Sequence, residues 1–464
     1  MYGRIPLYMN LQNSYEVLLT RYPRLYRRKI TIYVGMSGGV DSSVTAYLLK
    51  KDGFNVRGIY MECFKSDDLN CRSFKDRSDA VRVASFLNIP IEVWNFEKEY
   101  KEKVIDYFLD EYEKGRTPNP DILCNSEIKF NLFLERALKS GADFVATGHY
   151  AKIVDLIEFK NLPRRHKLSL ALQAGQKSKI KIEDNNSTVS IMHRVNLGNR
   201  RLRIKNLRSH SSIINDINCS RSAKYFIASG KDMWKDQSYF LNRVDKDRLN
   251  KIMFPLGERT KNDKDAAHSS KESVRNIAKF IKLPVASKLD SRGICFLEQI
   301  DLLKFLKSRI PEKKGVVKNE KGETIGSHEG IYYYTIGQGN GFKIDNSQKF
   351  PLYVIRKDLK KNILIVGKKK NLLKKEFIVE DFDLRINFAE FERLIQAGSI
   401  YVRIRNLGEF VKISNINRQG SSYNYQLQTT NYLDSVAPGQ FAVLYWIGGE
   451  IHNGKIIVGS GVIA

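Results

Sequence analysis

The chain is poor in cysteine, short of acid relative to base, and without any long apolar run. Its five cysteines, at 63, 71, 124, 219 and 295, are odd in number and widely spaced, which argues against the paired framework of a small secreted domain. None forms a CxxC pair or joins a His/Cys group with zinc spacing, so no structural metal is expected. No apolar stretch approaches the roughly 20 residues of a membrane-spanning helix, and the apolar core of a secretory signal is missing. Acidic residues number 51 against 78 Lys and Arg, giving a formal net charge of +27. Fold says little about such an excess, whereas a polyanionic binding partner explains it.

At 464 residues the chain has core enough for two or three domains. Its first 29 residues carry Arg4, Arg21, Arg24, Arg27, Arg28 and Lys29 against the single acid Glu16. That pattern fits an organelle transit peptide, and equally a disordered basic tail. Next comes an alternation of apolar β-branched runs and helical spacings: strand 30–34, helix 44–51, strand 56–61, helix 78–87, strand 91–95, helix 98–114, helix 127–139 and strand 144–147. Such alternation predicts right-handed crossovers and a parallel sheet, with ligands at the carboxyl ends of its strands. Residues 155–222 break the pattern. They hold 14 Lys/Arg against 5 Asp/Glu and read as a basic, partly disordered insertion, either a solvated loop or a nucleic-acid contact. Helical spacing returns over 242–312, after a connecting stretch 223–241 assigned to the first domain. From 313 to 464 short strands at even spacing predict a β-barrel.

Three segments carry the chemistry. In the first, Ser37-Gly38-Gly39-Val40-Asp41-Ser42-Ser43 follows a buried strand and opens a helix. Its glycines let backbone N–H groups face a concavity and its serines add hydroxyls, a cradle for pyrophosphate. Asp41 offers a hard oxygen ligand for Mg²⁺ beside those phosphates. The Gly-Lys-Ser/Thr of a Walker loop is missing, and a serine-capped helix after a glycine turn is the plainer alternative. In the second, Gly115–Phe130 places Cys124 three residues after Asp121 on a turn stiffened by Pro118 and Pro120, so a carboxylate stands ready to move protons for a thiol. The third, Ser291-Arg292-Gly293-Ile294-Cys295-Phe296, supplies a second thiol. Either cysteine could instead be a buried core residue, and Cys63, Cys71 and Cys219 are assigned no chemistry.

The serine-glycine loop resembles the pyrophosphate loop of the N-type ATP pyrophosphatases (adenine nucleotide alpha hydrolase-like). Five further motifs occur in order: Thr147-Gly148-His149-Tyr150-Ala151, Lys235-Asp236-Gln237-Ser238-Tyr239-Phe240-Leu241, Phe254-Pro255-Leu256-Gly257-Glu258, Tyr334-Thr335-Ile336-Gly337-Gln338 and Ala437-Pro438-Gly439-Gln440. With the two cysteine segments they make the chain resemble the tRNA-specific 2-thiouridylases of bacteria and mitochondria, from about Thr31 to Ala464. The resemblance implies an α/β fold: a parallel-sheet ATP-pyrophosphatase domain, a small helical central domain and a C-terminal β-barrel. It implies ATP-dependent adenylation of O2 of the wobble uridine in the anticodon arm of tRNA, then attack at C2 by sulfur. Cys295 matches the cysteine that takes a persulfide from a sulfur-relay donor protein. Cys124 matches the one that frees that sulfur, by attack leading to a Cys124–Cys295 disulfide or by acid/base help, with Asp121 as proton handler.

Gly35, Met36, Ser37, Gly38, Gly39, Val40, Asp41, Ser42, Met61 and Gly148 match ATP contacts, with Mg²⁺ near Asp41. Asn119, Pro120 and Asp121 match target-base contacts; Lys235, Asp236, Gln237, Arg405 and Asn406 match tRNA contacts. Two places depart from the family: Gly339-Asn340-Gly341 stands where Arg-Lys-Gly is usual, and Asn406 where a Tyr is. The rival readings are another adenylating enzyme with the same loop, such as a tRNA lysidine synthetase or an amide ligase, and a tRNA-binding protein without catalysis. The leader suggests a mitochondrial location, or the cytoplasm if the source is bacterial. No membrane association is expected.

Overall fold

The structure is a computed structural model that describes residues 14–64, 72–157, 223–260, 273–290, 302–345, 350–420, 423–448 and 454–464. Cys71, Cys219 and Cys295, most of the basic insertion and the loop 261–270 lie outside those residues. The chain divides into two compact units, residues 1–10 with 156–224 and residues 11–155 with 225–464; the second is described here.

Ile32, Tyr33 and Val34 on strand β1 (Thr31–Gly35) are almost wholly buried, as expected of a strand covered on both faces in a parallel sheet. Strand β1 lies between β2 (Asn55–Glu62) and β4 (Phe144–Ala146), parallel to both, and β3 (Ile91–Asn95) extends the sheet beyond β2. Strands β5 (Ala151–Ile157) and β6 (Ala223–Ser229) flank the insertion. Strand β7 (Ile252–Met253) then returns to the sheet parallel to β4, giving the order β3-β2-β1-β4-β7. Residues 242–312, which read in the sequence as a helical unit, thus contribute a strand to the α/β domain. Their helix Val274–Phe280 packs on the helix Val40–Lys51 that follows β1. A strand of two residues is too short to show any periodicity, which explains why the sequence concealed it.

The barrel expected over 313–464 resolves into two β units. In the first, β8 (Gly315–Lys318), β9 (Thr324–His328), β10 (Lys343–Ile344), β11 (Tyr353–Asp358) and β12 (Ile363–Gly367) form a sheet of order β10-β9-β8-β12-β11. A turn at Asn319–Gly322 joins β8 to β9, with Gly322 at φ +85°. The second is a closed barrel of β13 (Leu373–Leu384), β14 (Ile400–Arg403), β15 (Val411–Gln419), β16 (Asn424–Asp434), β17 (Phe441–Ile447) and β18 (Lys455–Ile463). It runs β13-β16-β15-β14-β17-β18 and closes where Val379 of β13 pairs with Ile463 of β18, which removes the exposed edges. Strand β6 adds to β18 through Ala228 and Ile456.

Residues 14–29 are neither extended nor detached from the domain. The helix Ser14–Arg21 buries Tyr15 and Leu18, and the Tyr15 hydroxyl donates to Asp52. Arg27 donates to the carbonyls of Leu19, Tyr22 and Asp52, so the arginines that read as leader charges here tie a helix to the α/β domain. Residues 14–29 thus pack on the α/β domain, and residues 1–13 lie outside the described structure.

Candidate active site

The carboxyl ends of β1, β2 and β4 converge where the predicted nucleotide contacts lie. A side chain at Gly35 would meet the Met61 methyl at 3.0 Å, and one at Gly148 would stand 2.7 Å from the backbone nitrogen of Ser42. Gly38 has φ +71°, and a Cβ there would fall 2.1 Å from the carbonyl oxygen of Asp76. Only glycine fits at Gly38 and Gly148, while a side chain at Gly35 would press on the Met61 methyl; all three lie beside the first turn of helix Val40–Lys51, where backbone N–H groups lack helical partners. Such a cradle suits phosphate.

The three loop hydroxyls divide their work. The Ser43 hydroxyl donates to the Gly39 carbonyl at 2.7 Å, and that of Ser42 donates to the same carbonyl at 3.2 Å while accepting from the Ser37 N–H at 3.2 Å. Ser37 is exposed, its hydroxyl bonding that of Ser42 at 3.2 Å and accepting from the Gly39 N–H at 3.4 Å, and is the most accessible of the three to a ligand. Asp41 accepts from the Tyr150 hydroxyl at 2.8 Å; burial first, then the Asp41 charge, push the Tyr150 pKa up, so the phenol keeps its proton. His149 beside it is buried against Phe130 and Phe254 and bonds Thr147 through Nδ1 at 2.7 Å. Burial, and then Lys129, push its pKa far down, leaving a neutral packing group. Among the described residues no cluster of three or more His, Cys, Asp or Glu could hold a metal. A Mg²⁺ ion would therefore depend on Asp41 together with ligand phosphates.

The predicted base-contact turn enters the helical run 120–139. Asn119 precedes its first turn, Pro120 occupies the N1 position, and Cys124 is buried where the helix widens to π-type turns over Cys124–Phe133. Such widening recurs at functional sites. Farther along this run Phe130 stacks on His149, and Phe133 approaches Gly35. One helix therefore links the thiol to the floor of the phosphate cradle.

The turn itself is gripped by both β units. The Thr117 N–H donates to the Pro438 carbonyl at 2.7 Å, the Gln440 amide donates to the Thr117 carbonyl at 2.8 Å, and the Thr117 hydroxyl bonds that of Thr335 at 3.1 Å. Arg116 pairs with Glu111 at 2.8 Å and with Glu380 of the barrel at 3.1 Å. Gly439 has φ +89°, and a Cβ there would sit 2.8 Å from the Thr117 nitrogen. The Tyr334–Gln338 and Ala437–Gln440 motifs, recognised in the sequence without a task, thus meet at this turn.

The predicted tRNA contacts are unequal. Lys235 is half-exposed and pairs with Asp290 at 2.8 Å. Asp236 is 2 % exposed. Its carboxylate accepts from the Gly230 and Ser238 N–H groups and from Arg403, at 3.2, 3.1 and 2.9 Å, because a buried acid must be fully paired. Gln237 also faces inward, accepting from the Tyr150 N–H at 3.0 Å. Arg405 is exposed and donates to the Asp434 carbonyl at 3.1 Å. Asn406 has a buried side-chain oxygen with no hydrogen-bond partner among the described residues. The sequence reading missed Lys288, which reaches the pyrophosphate loop with Asp76 and Asp79. Its only signal was its place seven positions before Cys295.

Comparison with known proteins bears on the whole chain. Residues 30–180 and 210–299 match the tRNA methyl transferase HUP domain, 303–368 the tRNA methyl transferase PRC-barrel domain, and 374–463 the aminomethyltransferase beta-barrel domain. The tRNA-specific 2-thiouridylase MnmA of Staphylococcus saprophyticus is 35% identical over 437 residues, 93% of this chain and 94% of that protein. Its counterpart in Listeria monocytogenes serotype 4a is 35% identical over 439 residues, 94% of each. That of Geobacillus thermodenitrificans is 39% identical over 338 residues, 72% of this chain and 71% of its own length. With three domain models matching in order and relatives of this identity spanning nearly the full length, the chain belongs to the tRNA-specific 2-thiouridylase family.

Proposed function

We propose that the protein is a sulfurtransferase that uses ATP to convert the wobble uridine of tRNA to 2-thiouridine. The observation that carries this reading is the single helical run joining the Asp121–Cys124 turn to the floor of the phosphate cradle, through Phe130 and Phe133. The backbone N–H groups of Gly38–Ser42 hold the β and γ phosphates, with Mg²⁺ beside Asp41 offsetting their charge. The uridine O2 attacks the α phosphorus and pyrophosphate leaves, so a poor leaving oxygen becomes part of AMP. The terminal sulfur of a Cys295 persulfide, supplied by a donor protein, then attacks C2 and AMP departs. Cys124 attacks the sulfur of Cys295, releasing the thiolated base and leaving a Cys124–Cys295 disulfide; Asp121 handles the uridine proton. The base must leave its stack to reach the buried Cys124.

The net charge suits an anticodon arm, where dense phosphate meets unstacked bases. Lys235 and Arg405 are the cationic contacts, while Asp236 and Gln237 brace the turn that presents Lys235. The location is mitochondrial, with residues 1–29 as the basic leader, or cytoplasmic in a bacterium. Nucleoside mass analysis of tRNA from cells lacking the protein, rescued with wild type or Cys295→Ser, tests the scheme. Wild type should restore 2-thiouridine and the serine variant should not; rescue by Cys295→Ser would remove the persulfide role. A lysidine synthetase or amide ligase needs no thiol pair and would be indifferent to that change. A binder without catalysis would release no AMP when tRNA and ATP are both present.

A further inference from the structure

Lys288 arrives at the pyrophosphate loop from 250 positions downstream. Its ammonium donates to the Gly38 carbonyl at 3.0 Å, to Asp76 at 2.6 Å and to Asp79 at 2.7 Å, and its side chain is only 16% exposed. Asp79 also pairs with Arg82 at 3.2 Å. Two residues on, Asp290 is held by Lys235 at 2.8 Å and by Arg275 at 2.5 Å, which fixes the segment carrying the lysine. The Gly38–Gly39 peptide is trans, so its carbonyl and N–H point in opposite directions. Whatever holds the Gly38 carbonyl therefore also fixes the Gly39 N–H, which points away from Lys288 and donates to the Ser37 hydroxyl at 3.4 Å. Asp76 and Asp79 put two carboxylates beside a site meant for polyanionic phosphate, a repulsion the ammonium offsets.

We propose that Lys288 is the positioning residue of the pyrophosphate loop: it orients the Gly38–Gly39 peptide for phosphate and cancels the adjacent carboxylate charge. This deepens the ATP-using reading and rests on it. The full-length protein is titrated calorimetrically with Mg²⁺ and α,β-methylene-ATP, which cannot be cut between its first two phosphates, and separately with AMP. Lys288→Met should weaken the ATP analogue at least tenfold and change AMP binding less than twofold, because AMP brings no pyrophosphate to the loop. Equal weakening of both ligands indicates general damage and overturns the proposal, as does a loss below twofold for the analogue. Should Lys288→Met fail to fold, Lys288→Gln, uncharged but still an N–H donor, is judged by the same pair of ligands with a threefold loss as the threshold. Wild-type protein that binds neither ligand overturns the ATP reading and this proposal with it.

Discussion

The pyrophosphate loop is held by neighbours from the α/β domain: the hydroxyls of Ser42 and Ser43, the Asp76 backbone and Lys288. The turn at 115–120, which leads into the proposed base contacts Asn119–Asp121, is held differently, by Thr335 in a loop of the first β unit and by Glu380, Pro438 and Gln440 of the barrel. On the proposed function, the contrast means that nucleotide binding is built into one domain, whereas presentation of the Cys124 thiol and of Asp121 is set by agreement among three. Damage to the barrel should accordingly spare ATP and injure thiolation, and damage to the loop should abolish both.

The strongest challenge to that contrast is Gly38→Ala. A left-handed φ costs a residue with a Cβ about 1–2 kcal/mol, and here the methyl also meets backbone at 2.1 Å. Binding of the ATP analogue should fall by about a hundredfold or more (the free energy of two factors of ten), and AMP release should vanish with it. Gly439→Ala should act on the other side only. With φ +89° and 2.8 Å to the Thr117 nitrogen, it should slow tRNA thiolation by roughly tenfold or more, as expected when a catalytic group is displaced, while ATP affinity stays within about twofold. A matching loss of ATP affinity would show the two regions to be one cooperative structure. Gln440→Ala removes the amide bond to Thr117, worth about 0.5–1.5 kcal/mol, and should lower thiolation by several-fold at unchanged ATP affinity.

How much of this was legible beforehand depended on the range of the interaction. Strands β1 to β4 and their helices could be read because Ile32, Val34, Val56 and Ile59 form dense β-branched runs. Strand β13 is hard to read because its register shifts between Glu380 and Asp383, which breaks the alternation that Phe377 and Val379 begin. Strand β15 is as hard to read, with Val411 and Ile413 its main buried anchors before another shift toward Asn415. The cradle was visible as Ser37–Ser43, a local motif with a local mechanism. The grip of Gln440 on Thr117 spans 323 positions, and nothing in either segment alone announces the other. The same holds for Lys288. The burial of Asp236 against Arg403 is equally non-local, joining positions far apart in the chain.

The smallest effect expected concerns His149, which lies beside Gly148 on the floor of the cradle. Burial depresses its pKa well below the ordinary value, so the unfolded chain binds a proton from about pH 6.5 downward while the folded chain does not. Stability should therefore fall as pH drops below about 6.5, by at most about 1.4 kcal/mol per unit from this residue. His149→Gln should flatten that slope in denaturant melts between pH 7 and pH 5; an unchanged slope would assign the acid sensitivity elsewhere.

The clamp around Thr117 also has a consequence for the order of events at the ribosome. Domains fold as they emerge, amino-terminal first, so the phosphate cradle can form once Lys288 has been made. Pro438 and Gln440 come some 150 residues later, a delay of roughly eight to thirty seconds at ordinary elongation speeds. Until then a nascent chain can hold nucleotide with its proline turn unbraced, and the enzyme acquires its two halves in a fixed sequence, fuel site before working thiol.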